Sequence, residues 1–408
     1  MRKIEIAIIG GGAAGFFAAA NLVELSSKAN ITIYEGSNKL LSKVLISGGG
    51  RCNVTNTISN PHLLANNYPR GNEFLVKPFE IFNSKDTQNW FTERGVPLKT
   101  EEDGRIFPKS NSSQSIYNCL TNEARKNNVQ VKTHHRLESI SKISNGFQLN
   151  FKDVKLEADY VILATGSNAS IFKILHNLGV ETVSQVPSLF TFEAKNHLQK
   201  ELAGVSVPNV KVSISEIKES EQNGPILITH WGYTGPSILR LSAWQARELY
   251  RLDYKFTLKI NWLPSFDANS LRTLLNEFPL SSPKDKVSSW RLHGLSKRLW
   301  TFLLQKAEIK EYTNWSEIGK KGINRLNETL TAYSVFINKK STFKDEFVTA
   351  GGIDRNEIDD LNFAIKKYTN LYAAGELLDI DAITGGFNFQ AAWTGGFLIA
   401  QDIQKAIQ

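Results

Sequence analysis

A glycine-rich turn near the start of the chain has the residue types and the spacing that bind a dinucleotide. The motif G-x-G-x-x-G occupies residues 10–15, between an apolar run at 3–9 and a segment at 13–27 whose apolar residues have helical spacing. Glycine permits a tight turn and lets a pyrophosphate approach the backbone, and the N–H groups that open the following helix attract its charge. The predicted phosphate contacts are Gly10, Gly12, Ala13, Ala14 and Gly15.

A carboxylate stands where the ribose of such a nucleotide is expected. Glu35 ends a second apolar run, 30–35, and follows Gly15 by twenty residues. An acid at this distance, at the end of the second strand of a β-α-β unit, accepts hydrogen bonds from ribose hydroxyls. Lys43 follows and is either a contact to phosphate or ribose or an ordinary surface lysine.

Two later runs favour FAD over NAD as the dinucleotide. DYVILATG at 159–166 and LYAAGE at 371–376 each join a strand-like run to a glycine. Each alone is typical of a buried strand with a turn, but together with the N-terminal motif they match flavoproteins with two dinucleotide-binding segments. No second G-x-G-x-x-G with a following acid occurs, so we expect no separate NAD(P)H domain. The predicted contacts here are Ala164, Thr165, Gly166, Gly375 and Glu376.

Two glycine-rich loops complete the predicted cofactor site. The loop at 47–53 contains three consecutive glycines, which let a flat ring pass close to the backbone, although a surface turn has the same composition. The segment at 385–390 precedes a final predicted helix, whose dipole would stabilise negative charge on the flavin, with or without a helix cap from Asn388. The predicted contacts are Ser47, Gly49, Gly50, Arg51, Cys52, Asn53, Gly385, Gly386, Phe387 and Asn388.

Composition limits the class of protein. The chain has 408 residues, of which 41% are hydrophobic and 22% charged, so we expect a globular protein of two or three domains. Its two cysteines, Cys52 and Cys119, offer no disulfide framework and no zinc spacing, and we predict no metal site and a reducing compartment. Glycines interrupt the apolar stretch 4–22, so we expect a cytoplasmic protein without a signal peptide or membrane span. Oligomeric state is not predicted.

The order of strands and helices predicts an α/β protein with a discontinuous domain. Both chain ends, 1–187 and 346–408, supply one Rossmann-like unit. Strand-like alternation predicts a β-rich insert at 188–264 and 331–345, and its loss predicts a helical domain at 265–330.

Five longer motifs connect the chain with a known family. They are ISGGGRCNVTN (46–56), DGRIFPKSNSSQSI (103–116), THWGYTGPSIL (229–239), VTAGGI (348–353) and AAGELLDIDAITGGFNFQAAWTGG (373–396). On these motifs the sequence resembles, over essentially its whole length, the HI0933-like family of NAD(P)/FAD-dependent oxidoreductases. The resemblance implies a Rossmann-like FAD-binding domain and an inserted β-barrel-like domain that itself carries a small helical domain. It also implies that the loop at 47–53 lies at the isoalloxazine ring.

The resemblance further implies reduction of a conjugated C=C bond by hydride from flavin N5, with NADH or NADPH as electron donor. Cys52, His230 and Tyr233 are the candidate proton donors, each with a purely structural alternative. Arg51 and Arg105 are candidates to orient an anionic or carbonyl-bearing substrate. Family members are linked to uridine reduction in large-subunit ribosomal RNA and to reduction of steroid-like enones in bile-acid metabolism.

A basic segment favours the RNA substrate. Residues 284–325 hold ten Lys and Arg against four acids, an excess of six, in a chain whose net charge is +8. We predict that this segment contacts ribosomal RNA, with Trp290, Trp300 and Trp315 as platforms for unstacked bases. The alternatives are a solvated helical face, a small-molecule enone reductase, and a flavin-bearing RNA-binding protein without turnover.

Overall fold

Short strands and helices alternate at both ends of the chain, and strands dominate its middle. The computed structural model describes residues 2–25, 27–194, 201–289, 295–341 and 348–407. The strands are β1 (Ile4–Ile9), β2 (Ala29–Tyr34), β3 (Thr55–Asn56), β4 (Leu98–Thr100), β5 (Arg105–Pro108), β6 (Gln130–Lys132), β7 (Leu137–Ile143), β8 (Gly146–Phe151), β9 (Lys155–Ala158), β10 (Tyr160–Leu163), β11 (Thr182–Ser188), β12 (Phe192–Glu193), β13 (Ser206–Ile214), β14 (Gln222–Ile228), β15 (Gly232–Thr234), β16 (Phe256–Asn261), β17 (Tyr333–Ile337), β18 (Lys339–Lys340), β19 (Val348–Ile353) and β20 (Leu371–Ala373). The helices are α1 (Ala13–Asn21), α2 (Ser42–Gly50), α3 (Pro61–Ala65), α4 (Asn72–Ile81), α5 (Ser84–Glu93), α6 (Gln114–Lys126), α7 (Ser170–Asn177), α8 (Pro236–Trp244), α9 (Ala246–Arg251), α10 (Ala268–Ser281), α11 (Lys297–Lys306), α12 (Gly319–Thr331) and α13 (Phe387–Ile407).

The chain separates into two units. The first unit comprises Met1–Val186 and Val348–Gln408, and the inserted unit comprises Pro187–Phe347. The sequence analysis predicted a first domain of 1–187 and 346–408, and these bounds differ from those of the first unit by one and two residues. The sequence also predicts strands at 189–195 and 346–350, of which residues 195, 346 and 347 lie outside the described residues.

A five-stranded parallel sheet with the order β20-β10-β1-β2-β6 forms the centre of the first unit. Strands β1, β2 and β10 occupy the runs predicted at 3–9, 30–35 and 159–164. They are almost wholly apolar because both faces of a parallel sheet are covered. Since all five strands run the same way, the turns after β1, β2, β10 and β20 meet at one edge, where ligands bind in sheets of this type.

Helix α13 returns from the end of the chain to pack against α1. A Cβ added to Gly396 would lie 2.8 Å from the carbonyl oxygen of Ala14 and 3.0 Å from the nitrogen of Ala18, so only glycine allows this approach. The spacing predicted a helix from 13 to 27, but α1 ends at Asn21. The chain there turns through a short 3-10 segment, Val23–Leu25, to enter β2.

The strands of the inserted unit form one antiparallel sheet that curves round on itself. The sheet has the order β17-β16-β13-β14-β15-β12-β18. Its two outermost strands, β17 and β18, are consecutive in the chain and separated by Asn338 alone. Because one residue cannot span an open seven-stranded sheet, the two edges must lie close together, as in a barrel.

The helices predicted at 265–330 form as α10, α11 and α12, but they share one hydrophobic core with the sheet. A separate helical domain therefore stays a prediction. Trp300 and Trp315 belong to this core and are 0% and 1% exposed. The prediction that these two rings stack on RNA bases is wrong, because no base can reach them. Trp290 and Arg291 lie outside the described residues.

No helix within the described ranges has both the length and the apolar character that crossing a membrane requires.

The substitution Gly396→Ala tests the contact between α1 and α13. Alanine is the better helix former by about 1 kcal/mol, so at an unconstrained helical position the change is stabilising. Here the added Cβ meets backbone atoms of α1, and we expect a loss of about 1–3 kcal/mol in the free energy of unfolding. Differential scanning calorimetry would register a thermal midpoint several degrees lower. Gln401→Ala, at a partly buried position of α13, is the control. A midpoint that is unchanged or raised in Gly396→Ala contradicts the packing described.

Candidate functional site

The turn at residues 10–15 is built from backbone in close contact. Gly10 has φ +115°, and a Cβ there would lie 2.3 Å from the carbonyl oxygen of Ala164. At Gly15 a Cβ would lie 2.2 Å from the oxygen of Gly10. Gly12, by contrast, meets nothing closer than 4.0 Å, and no side chain caps α1. The first N–H groups of α1, at Ala13 and Ala14, therefore begin a helix with room for an anion.

The Glu35 carboxylate is held beside this turn by backbone and side-chain donors. One oxygen accepts from the N–H of Gly11 at 2.9 Å, and the other accepts from the N–H and hydroxyl of Ser37 at 2.8 and 2.9 Å. A carboxylate oxygen can accept two hydrogen bonds. The Glu35 oxygen that accepts from the N–H of Gly11 can therefore accept a second one from a ribose hydroxyl. The sequence analysis did not identify Ser37, nor Arg136, whose Nε lies 3.4 Å from a Cβ built on Gly36.

Lys43 and Glu376 form an ion pair that joins the two ends of the chain. The second oxygen of Glu376 accepts from the N–H of Thr349 at 3.0 Å. Glu376 also lies near Gly166, since a Cβ there would be 3.9 Å from its carboxylate. Gly375, which precedes it, has φ +72° and would place a Cβ 3.2 Å from that of Ala14. Gly375, in the C-terminal part of the first unit, therefore lies beside the glycine turn at 10–15.

The glycine loop at 47–53 leaves open space beside its backbone. The chain departs from helical geometry within α2 at Ser47, where ψ is 151°. Gly49 and Gly50 have φ +69° and +82°, and a Cβ on either would meet nothing within 4 Å. The opposite side is closed, because a Cβ on Gly48 would lie 2.9 Å from the ring of Phe107. The loop therefore presents bare backbone in one direction only.

This loop is joined to the start of α13. With its amide oriented by its hydrogen-bonding surroundings, Asn53 accepts from the N–H of Gly386 at 2.9 Å. Three residues later, the side chain of Asn56 donates to the oxygen of Gly385 at 3.2 Å. Asn388 does not cap the helix, because its amide pairs with both backbone groups of Ala382 at 3.0 and 3.1 Å.

A buried polar network fixes the first turn of α13. Gln390 accepts from the hydroxyls of Thr55 at 2.6 Å and Thr87 at 2.9 Å, and donates to Thr394 at 3.1 Å. All four side chains are fully buried, so their polar atoms need partners within the protein, and the hydroxyl of Thr394 also donates to the backbone oxygen of Phe82 at 2.8 Å. Tyr68 donates to the oxygen of Phe387 at 2.6 Å. The sequence analysis gave no role to these threonines or to Gln390, because no spacing in the sequence relates one to another, although three of them lie in the quoted motifs.

Cys52, the candidate proton donor of the glycine loop, is enclosed. Its side chain is 0% exposed, and burial raises the pKa of the thiol to about 12 despite a hydrogen bond with Ser47. A thiol without exposed surface cannot deliver a proton to a substrate in this conformation. The structure therefore argues against the catalytic prediction for Cys52, because the loop folds its side chain into the core.

His230 and Tyr233 lie in the inserted unit. Tyr233 is 3% exposed, and its hydroxyl is hydrogen-bonded to that of Tyr333. Burial raises the pKa of Tyr333, and the contact with Tyr233 raises it further, so the Tyr333 hydroxyl is protonated at neutral pH. His230 is exposed and its ring lies edge-on to Trp231, with 4.2 Å between centroids. Of the three predicted proton donors, His230 alone presents an accessible titratable group.

The residues at the sheet edge fit a dinucleotide cofactor. The hydroxyl of Thr165, directly after β10, is buried and has no partner among the described residues, which leaves a donor for a ligand. The open backbone of Gly12, Gly49 and Gly50 supplies the space that a phosphate and a flat ring require. No group of three or more His, Cys, Asp or Glu side chains among the described residues could hold a metal ion.

Comparisons with known proteins agree with this arrangement. A ribosomal RNA dihydrouridine synthase of Escherichia coli K12 is 29% identical over 418 residues, covering 100% of this chain and 99% of that protein. A 3-dehydro-bile acid delta(4,6)-reductase of Clostridium scindens is 27% identical over 403 residues, covering 97% of each. The crystal structure of a 3-ketosteroid delta1-dehydrogenase from Sterolibacterium denitrificans shares the fold, with a TM-score of 0.51, 12% identity and coverage of 100% of both chains. The model of the HI0933-like protein Rossmann domain matches residues 4–402, and the chain therefore belongs to the HI0933-like family.

Proposed function

We propose that the protein is an FAD-dependent reductase of a C=C bond conjugated to a carbonyl group, with NADH or NADPH as electron donor. When bound and reduced, FAD supplies the hydride from its N5 atom. The observation that carries this proposal is the convergence of glycine backbone from both chain ends: the turn at 10–15, the loop at 47–53 and the segment before α13. One dinucleotide with a flat ring explains all three.

The chain's own residues have distinct roles in this proposal. The N–H groups at the start of α1 would bind the pyrophosphate, and Glu35 would accept from the adenosine ribose. Lys43 and Glu376 would contact the middle of the cofactor. The N–H groups at Phe387 and Asn388, at the start of α13, would stabilise negative charge on the reduced ring and so raise its reduction potential.

Uridine in 23S ribosomal RNA is the proposed substrate. Two relatives carry the name ribosomal RNA dihydrouridine synthase. Nine cations of the segment 284–325 are described, and all nine are exposed. Within the described part of this segment one ion pair forms, between Arg325 and Glu308 at 3.1 Å. Exposed cations without an acidic partner favour a polyanion, because their contacts with phosphates release the counterions condensed on it.

A small-molecule enone is the second candidate substrate. The relative from Clostridium scindens is named a bile acid reductase and matches the chain over a similar length. Burial of Trp300 and Trp315 also removes two of the three expected base-stacking platforms. Tyr312, 67% exposed with the Nζ of Lys310 5.9 Å from its ring centroid, is an aromatic residue that a base could still reach.

Removal of the gene from its source organism tests the proposed substrate. We expect one or more dihydrouridines to disappear from 23S ribosomal RNA, as mapped by mass spectrometry of RNase fragments or by borohydride-dependent reverse-transcription stops. Re-expression of the protein is the control and should restore them. An unchanged modification pattern would reject the RNA substrate and leave the small-molecule enone.

The basic segment is tested by its contribution to RNA affinity. Lys320 and Lys321 lie in the first turn of α12, where positive charge opposes the helix dipole. If they contact phosphates, the double variant Lys320→Glu/Lys321→Glu should lower the slope of log K against log salt by about 1.5–2. Filter binding of ribosomal RNA fragments at about 50–300 mM salt measures this slope. Lys152→Glu/Lys155→Glu, exposed residues of the first unit, gives the same net charge and should leave the slope unchanged. Equal slopes for both double variants would contradict the prediction.

Cys52→Ala tests the role of the buried thiol. Because its pKa of about 12 keeps it protonated at neutral pH and its side chain is enclosed, we expect turnover to change less than about threefold. Alkylation by iodoacetamide at pH 8 should be negligible in the native protein and rapid in urea. Loss of turnover by orders of magnitude, with flavin content retained, would restore Cys52 as the proton donor.

A further inference from the structure

Arg51 is immobilised at the edge of the open glycine loop. Its guanidinium carbon lies 4.1 Å from the ring centroid of Phe107, which is fully buried and fixed. Its Nε–H donates to the oxygen of Gly48 at 3.3 Å, and one Nη1–H donates to Glu101 at 2.6 Å. The plane of the guanidinium is therefore set by a stacking contact and by two hydrogen bonds. A side chain with this much restraint has lost its rotamer freedom before any ligand binds.

The restraint leaves part of the guanidinium unused. An arginine has five N–H donors, and the described part of the chain accepts from two of them. The Nη2 group has no acceptor among these residues, and a third of the side chain is exposed. The next residues toward the N-terminus, Gly49 and Gly50, are those whose backbone is open. Free donors thus lie next to the bare backbone proposed to meet the flat ring.

The neighbouring Arg105 is occupied differently. It donates to Asp103 at 2.7 Å and to the second oxygen of Glu101 at 3.0 Å. Each oxygen of Glu101 therefore accepts a hydrogen bond from one arginine. The two positive charges of the arginines balance the two negative charges of Glu101 and Asp103. A neutral cluster of this kind does not attract a free anion. It suits a group that is neutral in the ground state and gains negative charge during reaction.

We propose that Arg51 is a catalytic residue that hydrogen-bonds the carbonyl oxygen of the substrate. This inference rests on the proposed function. Both proposed substrates, uridine and a small-molecule enone such as a 3-oxo-delta(4,6) steroid, contain a C=C bond conjugated to a carbonyl group. As hydride adds to the β-carbon, the π electrons move through the α-carbon to the carbonyl oxygen, which becomes an enolate. The two N–H groups of Nη2 stabilise this oxygen. A proton from solvent water then adds to the α-carbon, so the substrate gains one hydride and one proton in all. NADH or NADPH, the proposed electron donor, would supply the two electrons.

Arg51→Met removes the donors and keeps the length of the side chain. Reduction of the bound flavin by NADH or NADPH does not use the substrate carbonyl, so we expect its rate to fall far less than the rate of reoxidation. Reoxidation of the flavin by substrate should slow by about 100- to 1000-fold, as for the loss of one oxyanion donor. Arg51→Lys, which keeps the charge but loses the fork, should be slowed less. Anaerobic stopped-flow absorbance resolves the two half-reactions, with a 23S ribosomal RNA transcript and a 3-oxo-delta(4,6) steroid as oxidants.

Arg94→Met is the matched control. Its guanidinium lies 4.1 Å from the ring centroid of Trp90 and pairs with Glu123 at 3.3 Å, so it resembles Arg51 in stacking and pairing, but it directly follows α5 and not the glycine loop. Both half-reactions should keep their rates in this variant. If the wild type is reoxidised by a substrate and Arg51→Met reacts equally fast, the role of Arg51 is refuted while the proposed function stands. If neither substrate reoxidises the wild type, the proposed function and the role of Arg51 fail together.

Discussion

Contact between backbone and backbone at glycine is the constraint on which the first unit depends. At Gly10 and Gly386 a Cβ would approach the carbonyl oxygens of Ala164 and Thr55 to 2.3 and 2.5 Å. Any side chain at either position would push apart two segments that are distant in sequence. The parallel sheet, the glycine loop and the start of α13 can meet at one edge only because these contacts are possible.

The sequence predicts the parts of this unit that depend on short-range patterns. Apolar runs locate β1, β2 and β10, since strands buried on both faces carry few polar residues. The glycine spacing and Glu35 locate the turn at 10–15, because a tight turn restricts which residue types can occupy it. Whether a side chain faces inward or outward is a different matter. Cys52 occurs between two polar residues, Arg51 and Asn53, and its side chain is buried by contacts that the sequence does not reveal.

The polar groups that hold the site together were also beyond prediction. Thr55, Thr87 and Gln390 come from three separate segments and are joined only in the folded chain. No spacing relates them, so periodicity offers no signal. The core that sheet and helices share in the inserted unit also joins segments that are distant in the sequence, so periodicity did not predict it. Surface charge is more predictable, because lysine and arginine are rarely buried, and the nine described cations at 284–325 are all exposed.

The order of the strands has a consequence for synthesis of the protein. Strand β20 and helix α13 complete the first unit, yet they are made after the whole inserted unit. Until they leave the ribosome, the apolar face of α1 and one edge of β10 lack their native cover. The nascent chain must therefore carry exposed hydrophobic surface while some two hundred residues are translated, about 10–40 s at ordinary elongation rates. The position of β20 and α13 after the inserted unit therefore leaves the parallel sheet incomplete until late in synthesis.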